Sequence, residues 1–190
     1  MISEKMTELG KNRSVIREIF EYSKKRAAEI GAENVFDFSL GNPNVPAPEE
    51  VHQVFKELLD TRDDVYLFGY TSAQGDLEVR KAIADDLNRR FQTNFRPDNF
   101  YMTCGAAASL RITLEAMTVP GDEYIIFTPY FPEYKVFVEA AGGRFVPAAT
   151  NGETFQIDFD RLEAAVNEHT KGIFVNSPNN PSGVVFTEES

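Results

Sequence analysis

Three loops in the second half of the chain follow predicted strands and carry residue types that suit a bound ligand. The first is the small-residue run TCGAAA at 103–108, where a strand is predicted to turn into a helix. Small side chains let a ligand approach the backbone, and the N–H groups of a first helical turn attract an anion. The run therefore indicates phosphate binding, with tight packing of helix against sheet as the alternative. It lacks the Gly-Lys-Ser/Thr ending of a Walker A loop and the repeated glycines of a dinucleotide-binding fingerprint.

The second loop, PYFPEY at 129–134, presents aromatic side chains at the carboxyl end of a predicted strand. Ligands gather at that end of an open α/β sheet, so a flat heteroaromatic ring could stack there; ordinary aromatic core is the alternative.

The third loop, NSPNNPSG at 176–183, also follows a predicted strand. Its prolines and asparagines favour a rigid turn that aims an amide side chain at a ligand oxygen, and a purely structural turn is the alternative.

Strands and helices alternate from residue 97 onward. Apolar periodicity predicts strands at 99–103, 123–128, 144–149, 172–177 and 184–186. It predicts the intervening helices at 106–117, 132–141 and 158–168. This order indicates an α/β domain with a largely parallel sheet flanked by helices. The preceding residues predict mainly helices, with one short strand and a turn: helices at 14–30, 49–59 and 76–91, the strand at 35–40 and the turn at 41–43.

Charge and composition argue against several classes of protein. The net charge of −11, from 19 basic and 30 acidic residues, disfavours nucleic-acid binding and an anionic membrane surface. The single cysteine, Cys104, allows no disulfide within the chain and fits a reducing compartment. No signal-peptide pattern or transmembrane stretch is present, so we expect a soluble cytoplasmic protein.

The last residues of the sequence begin a helix. Thr187 suits the capping position, and Glu188 and Glu189 suit the first turn. The sequence stops at Ser190, where that helix would start. We therefore expect the 190 residues to be a fragment of a longer protein.

Four motifs, in one order, resemble the class I/II aminotransferases, which are pyridoxal 5'-phosphate (PLP) enzymes of fold type I. The turn at 180–183 is similar to the family's Asn-Pro-Thr-Gly turn, and the loop at 129–134 to its Pro-x-aromatic-x-x-Tyr. The small-residue run is the third motif. The fourth is close to the family's Tyr-x4-Gly-x3-Leu-Arg pattern, with the leucine two places early, and consists of Tyr70, Gly75, Leu77 and Arg80. The resemblance covers residues 37–186.

The resemblance implies a role for each matched residue. Gly105, Ala106 and Ala107 would cradle the PLP phosphate, through backbone N–H groups at Ala106 and Ala107. Phe131 would stack on the pyridine ring. Asn180 would hydrogen-bond the phenolic oxygen of that ring and so tune its reactivity.

Two matches concern the neighbouring subunit and the substrate, and three positions depart from the family pattern. Tyr70 would reach the phosphate in the partner of a homodimer, and Gly41 would lie by the substrate carboxylate. The family often has a hydroxyl or a lysine where Ala107 stands, and Trp or Tyr at the position of Phe131. Ser182 replaces the usual threonine.

The resemblance also implies the fold and the domains. We expect a partial three-layer aspartate-aminotransferase-like large domain at 49–190, preceded at 1–48 by an N-terminal arm and a helix of the small domain. In the family, the Schiff-base lysine and the aspartate at the pyridine nitrogen follow the asparagine turn. We therefore expect no catalytic residue and no metal site in this chain, with Lys135 and Lys171 as surface residues.

The implied activity is transamination by the parent protein, in which an amino acid gives its nitrogen to a 2-oxo acid. A fold type I carbon–sulfur lyase is the first alternative, because it shares the phosphate cradle and the asparagine turn. The second alternative is that the 190 residues alone are a non-catalytic fragment or binding module.

Overall fold

The computed structural model describes residues 2–11, 15–41 and 45–190. The chain divides into two compact units, Met1–Gly69 and Tyr70–Ser190. The first unit is helical. It contains α1 (Glu4–Lys11), α2 (Val15–Ile30), α3 (Glu49–Thr61) and α4 (Asp64–Phe68).

The helices of the first unit form without burying their apolar side chains. Apolar side chains of α3 stay largely exposed, with Val54 at 52% and Phe55 at 65%. α4 begins at Asp63, whose carboxylate accepts hydrogen bonds from the N–H groups of Val65 (2.9 Å) and Tyr66 (3.1 Å). Across the described ranges, every helix is too short or too polar to cross a lipid bilayer.

The second unit is an α/β domain, as the sequence predicts. Its helices are α5 (Leu77–Phe91), α6 (Ala106–Met117), α7 (Glu133–Ala140) and α8 (Phe159–Ala165). Its strands are β1 (Glu123–Thr128), β2 (Arg144–Ala149) and β3 (Thr170–Phe174). The three strands are parallel, in the order β2-β1-β3.

The core lies on both faces of β1, because alternate side chains of a strand point to opposite faces. On one face, Tyr124 and Ile126 pack with side chains of α6 and α7, including the fully buried Val138. On the other face, Ile125 and Phe127 pack against β2 and α8. The sheet is therefore the middle of three layers. Complete burial of a side chain such as Ile125 stabilises the fold by about 2 kcal/mol.

The strand order places two of the candidate loops side by side. β1 and β3 are parallel neighbours, with Ile126 opposite Phe174 near their carboxyl ends. The loops that follow these two strands therefore leave the sheet at the same edge. This is the edge at which open α/β sheets bind ligands.

Three predicted strands are not strands. The segment at 99–103 is extended but does not pair with a strand. The Met102 N–H donates instead to the Gln74 carbonyl oxygen (2.9 Å), which lies in a loop. The segments at 35–40 and 184–186 also have no strand assignment. Residues with strand-like sequence need a neighbouring strand to form a ladder, and the described residues offer these segments none.

The entry to α5 is fixed by Arg80, which is only 5% exposed. Its Nε donates to the Gly75 carbonyl oxygen (3.2 Å) and one Nη to the Pro97 carbonyl oxygen (2.9 Å). Arg80 also lies 3.7 Å from the Asp98 carboxylate. This arginine joins the start of α5 to the segment that leads toward α6.

Glu123 organises the opposite, amino-terminal edge of the sheet. Its buried carboxylate accepts hydrogen bonds from the Asn167 side chain (2.9 Å) and from the Arg144 guanidinium (2.8 Å to Nε). The bond from Asn167, and then that from Arg144, lower the pKa of Glu123 from its ordinary value.

The lowered pKa of Glu123 predicts an acid-dependent loss of stability. The unfolded chain binds this proton more tightly, so the contribution is complete above the unfolded pKa of about 4.3 and is lost as the pH falls through the folded value. Urea unfolding should show that the stability advantage over Glu123→Gln shrinks below about pH 4. The exposed Glu153, replaced by glutamine, is the matched control. The same pH trend in both variants would contradict the assignment.

Candidate functional site

The start of α6 presents backbone N–H groups without bulky side chains. Gly105 occupies the N-cap position with φ of 90°, and its carbonyl oxygen accepts from the N–H groups of Ala108 and Ser109 (both 3.2 Å). Ala106 and Ala107 belong to the first helical turn, whose N–H groups have no acceptor inside the helix. Both methyl side chains are exposed. The turn therefore offers an anion two N–H groups at the positive end of the helix dipole.

Hydroxyl groups brace this turn from behind. The Gly105 N–H donates to the Thr103 carbonyl oxygen (2.9 Å), and the Thr103 hydroxyl donates to the Gly105 carbonyl oxygen (3.1 Å). The same hydroxyl pairs with that of Ser109 at 2.5 Å. A Cβ at Gly105 would meet open space, so its positive φ, and not crowding, is what favours glycine here.

The aromatic loop after β1 is held by ring contacts. Phe131 packs edge-on against Tyr134 at 5.6 Å between ring centroids, and Tyr134 packs against Phe174 of β3 at 5.3 Å. Phe131 and Tyr134 are both half-buried. Burial raises the pKa of Tyr134 above its ordinary value, so its hydroxyl remains protonated at neutral pH and can donate a hydrogen bond.

The loop after β3 is a tight, internally bonded turn. The Asn179 N–H donates to the Val184 carbonyl oxygen (2.8 Å), and the Gly183 N–H donates to the Asn179 carbonyl oxygen (2.7 Å). The Asn179 side-chain oxygen accepts from the N–H (3.2 Å) and the hydroxyl (2.9 Å) of Ser182. Asn180 lies within this turn, and its side chain is exposed. The exposed amide is therefore carried by a rigid backbone.

Asn176 joins the aromatic loop to the asparagine turn. With its amide oriented so that both ends are paired, its oxygen accepts from the Tyr134 hydroxyl (3.2 Å) and from the Asn180 N–H (3.0 Å). Its nitrogen donates to the Pro178 carbonyl oxygen (3.1 Å). Neither Tyr134 nor Asn176 was predicted as a site residue. Tyr134 is the last residue of the Pro-x-aromatic-x-x-Tyr motif, whereas the only sequence signal of Asn176 is its place in the asparagine loop.

A pocket of about 320 Å³ lies where the three loops meet. This volume is in the range of small-molecule sites, which is about 300–1,000 Å³. Its lining contains Ala106, Ser109, Leu110, Tyr134, Phe174, Val175 and Asn176. The predicted site residues Gly105, Ala107, Phe131 and Asn180 belong to the same three loops but lie outside this lining.

Tyr70 and Gly41, the remaining predicted residues, are not among the residues that line the pocket. Tyr70 begins the second unit with its side chain fully exposed, and it is not among the lining residues. Gly41 is exposed in the first unit, and Asn42 and Pro43 of the predicted turn lie outside the described residues. The roles of Tyr70 and Gly41 therefore stay predictions.

The two lysines singled out by the sequence are engaged away from this pocket. The Lys135 ammonium lies 3.8 Å from Glu139, one turn further along α7. The Lys171 ammonium lies 3.8 Å from Asp122 at the amino-terminal edge of the sheet. Neither lysine lines the pocket at the carboxyl edge.

Comparisons with known proteins identify the family of this chain. Residues 33–190 match the family described as aminotransferase class I and II. The chain is 31% identical to an aspartate aminotransferase of Thermotoga maritima over 191 aligned residues, which cover all of this chain and 48% of that protein. It is 34% identical over 167 residues to a probable aspartate/prephenate aminotransferase of Thermus aquaticus, covering 86% of this chain and 43% of that protein.

Solved structures give the same result. The crystal structure of an amino transferase from Eubacterium rectale superposes with a TM-score of 0.95 at 58% identity, covering all of this chain and 48% of that one. The aspartate aminotransferase structure from Thermotoga maritima gives a TM-score of 0.82 at 29% identity, covering 99% of this chain and 48% of that one. The expected aspartate-aminotransferase-like fold is therefore confirmed.

The chain belongs to the aminotransferase class I and II family. It spans about half the length of the curated relatives that it matches.

Proposed function

We propose that these residues form the cofactor-holding wall of a PLP-dependent aminotransferase. The observation that carries the proposal is the pocket of about 320 Å³ at the carboxyl edge of the sheet. It is shared by a helix N-terminus, an aromatic loop and a rigid asparagine turn. Each of these three elements suits one chemical part of PLP: an anionic phosphate, a flat pyridine ring and a phenolic oxygen. When bound, PLP supplies the electron sink for transamination.

Each loop has a distinct task in this proposal. The N–H groups of Ala106 and Ala107, preceded by Gly105, bind the phosphate through charge-assisted hydrogen bonds. The Phe131 ring stacks on the pyridine ring and helps to exclude water from it. The Asn180 amide donates to the phenolic oxygen and thereby stabilises its ionised form.

The remaining contacts to the cofactor and the substrate are assigned to residues that do not line this pocket. We propose that Tyr70 reaches the phosphate held by a second copy of the protein in a homodimer, and that Gly41 lies by the substrate carboxylate. From the family resemblance, the lysine that carries the cofactor and the aspartate at the pyridine nitrogen are expected outside these 190 residues. The single cysteine, Cys104, favours a reducing compartment such as the cytoplasm.

An amino acid and a 2-oxo acid are the proposed substrates. Aspartate is the first donor to test, because the curated relatives include proteins named aspartate aminotransferase. The test incubates the protein at its natural length with PLP, aspartate and 2-oxoglutarate. The expected products are oxaloacetate and glutamate in equal amounts, without free ammonia.

The assay also separates the alternative chemistry. A fold type I carbon–sulfur lyase would release ammonia and pyruvate from a cystathionine-like substrate and would need no 2-oxo acid. That outcome, together with failure of amino transfer from a panel of amino acids, would reject the transaminase proposal.

A further inference from the structure

We propose that Tyr134 and Asn176 are a positioning pair that holds Asn180 where it can donate to the cofactor. This inference rests on the proposed function, because it concerns how Asn180 is placed. Tyr134 and Asn176 are positioning residues in it and act on PLP through Asn180.

The Asn176 side chain connects Tyr134 to the backbone of Asn180. With the amide oriented so that both of its ends are paired, its side-chain oxygen accepts at once from the Tyr134 hydroxyl at 3.2 Å and from the Asn180 N–H at 3.0 Å. Its nitrogen is anchored on the Pro178 carbonyl oxygen at 3.1 Å. The backbone of Asn180 is thereby tied, through one amide group, to a side chain on a different element of the fold.

Tyr134 is a firm anchor for this link. Its ring is held between Phe131 at 5.6 Å and Phe174 at 5.3 Å, and it is half-buried. Two ring contacts fix the direction of the hydroxyl, and a donor in a partly desolvated site is held more tightly than one in water. The strand order β2-β1-β3 supplies the geometry, because it places the loop after β1 beside the loop after β3.

The other bonds of the asparagine turn do not replace this link. Those among Asn179, Ser182, Gly183 and Val184 lie within the turn, so they make it rigid but move with it. The far side of the turn is tied by the Gln156 amide to the Val185 carbonyl oxygen at 3.1 Å. The near side, which carries Asn180, is tied to the aromatic loop by Tyr134 through Asn176.

The test replaces Tyr134 by phenylalanine in the natural-length protein with PLP bound, which removes the hydroxyl and keeps the ring contacts. Two quantities are measured: the dissociation constant for PLP, and the pH midpoint of the absorbance change of bound PLP. We expect the dissociation constant to rise about threefold to tenfold, as for the weakening of one net hydrogen bond. The midpoint should rise by about 0.5 pH unit, because the phenolic oxygen loses a well-placed donor.

Tyr124→Phe is the matched control. The Tyr124 hydroxyl pairs with that of Thr118 at 2.9 Å, and its ring also contacts Phe174, at 6.2 Å. It therefore loses a comparable hydroxyl contact on the same face of the sheet, but one that points away from the asparagine turn. We expect a similar fall in melting temperature for the two variants and a shifted midpoint only for Tyr134→Phe.

A double variant shows whether Tyr134 acts through Asn180. In a protein that already carries Asn180→Ala, adding Tyr134→Phe should not move the midpoint further, because the group being positioned is gone. An equal further shift in that background, or no shift from Tyr134→Phe alone while Asn180→Ala moves the midpoint, would overturn the positioning role. If Asn180→Ala itself leaves the midpoint and the PLP affinity unchanged, the proposed role of Asn180 is wrong instead.

Discussion

Replacing Ala107 by aspartate should weaken PLP binding about 100-fold without loss of fold stability. The new carboxylate would lie in the first turn of α6, beside the N–H groups proposed to bind the phosphate. Like charges about 4 Å apart repel by about 4 kcal/mol per pair at an effective dielectric constant of 20. Ala107 is exposed, so solvent reduces this repulsion, and about 100-fold is the expected remainder.

The same substitution is favourable for the helix. An acidic side chain in a first turn interacts well with the helix dipole, by about 0.3–1 kcal/mol. The melting temperature should therefore stay the same or rise while affinity for PLP falls, which separates binding from folding in one variant. Equilibrium dialysis against PLP and a thermal melt measure the two quantities.

Ala107→Asn is the matched control for the charge. Asparagine has the size and shape of aspartate and is neutral, so we expect it to weaken PLP binding by less than about tenfold. Equal weakening by both residues would show that size matters and charge does not. If Ala107→Asp does not weaken PLP binding, the phosphate does not bind at the start of α6.

The second large effect is expected from Gly75→Ala, which should lower the free energy of unfolding by about 2–4 kcal/mol. Gly75 is buried with φ of 96°, a region that L-residues rarely adopt. A Cβ there would overlap the Cγ and the Cβ of Met102, and the Met102 Cβ cannot rotate away because it is bonded directly to the backbone. The Gly75 carbonyl oxygen also accepts from Arg80, so a shift of this residue would loosen the entry to α5.

Gly152→Ala serves as the control for this prediction. A Cβ at Gly152 meets nothing within 4 Å, and its φ lies outside the left-handed region. Its replacement should change stability by less than about 0.5 kcal/mol. Urea unfolding of both variants checks the difference, and a loss of similar size in both would contradict the close packing at Gly75.

The sequence predicted the bounds of β1, β2 and α6 well. β1 and β2 have the predicted bounds of 123–128 and 144–149, and α6 has the predicted bounds of 106–117. β1 is buried on both faces, so its apolar run is continuous and easily recognised. The start of α6 was recognisable because Gly105 is followed by good helix formers.

The sequence predicted less well where structure depends on distant partners. The segments at 35–40 and 99–103 have strand-like composition, but the described residues give them no neighbouring strand. The helices α1 and α4 were not predicted, although Asp63 is a recognisable cap for α4. The predicted domain boundary after residue 48 stays a prediction, while the compact units divide between Gly69 and Tyr70.

In the candidate site, too, the sequence predicted the loops but not the contacts between them. Each of the three loops has a local signature, so each was found from residue types and spacing alone. The link from Tyr134 through Asn176 to Asn180 depends on β3 lying beside β1. Local periodicity predicts strands but not their order in the sheet, so the sequence did not predict this link.

A crystal structure of the natural-length protein with PLP would show directly whether the three loops hold the cofactor. We expect phosphate oxygens about 3 Å from the N–H nitrogens of Ala106 and Ala107, as in ordinary charge-assisted hydrogen bonds. We also expect the pyridine ring against Phe131 and the Asn180 amide within hydrogen-bonding distance of the phenolic oxygen. A PLP molecule bound elsewhere, with the start of α6 contacting only solvent, would contradict the proposed function.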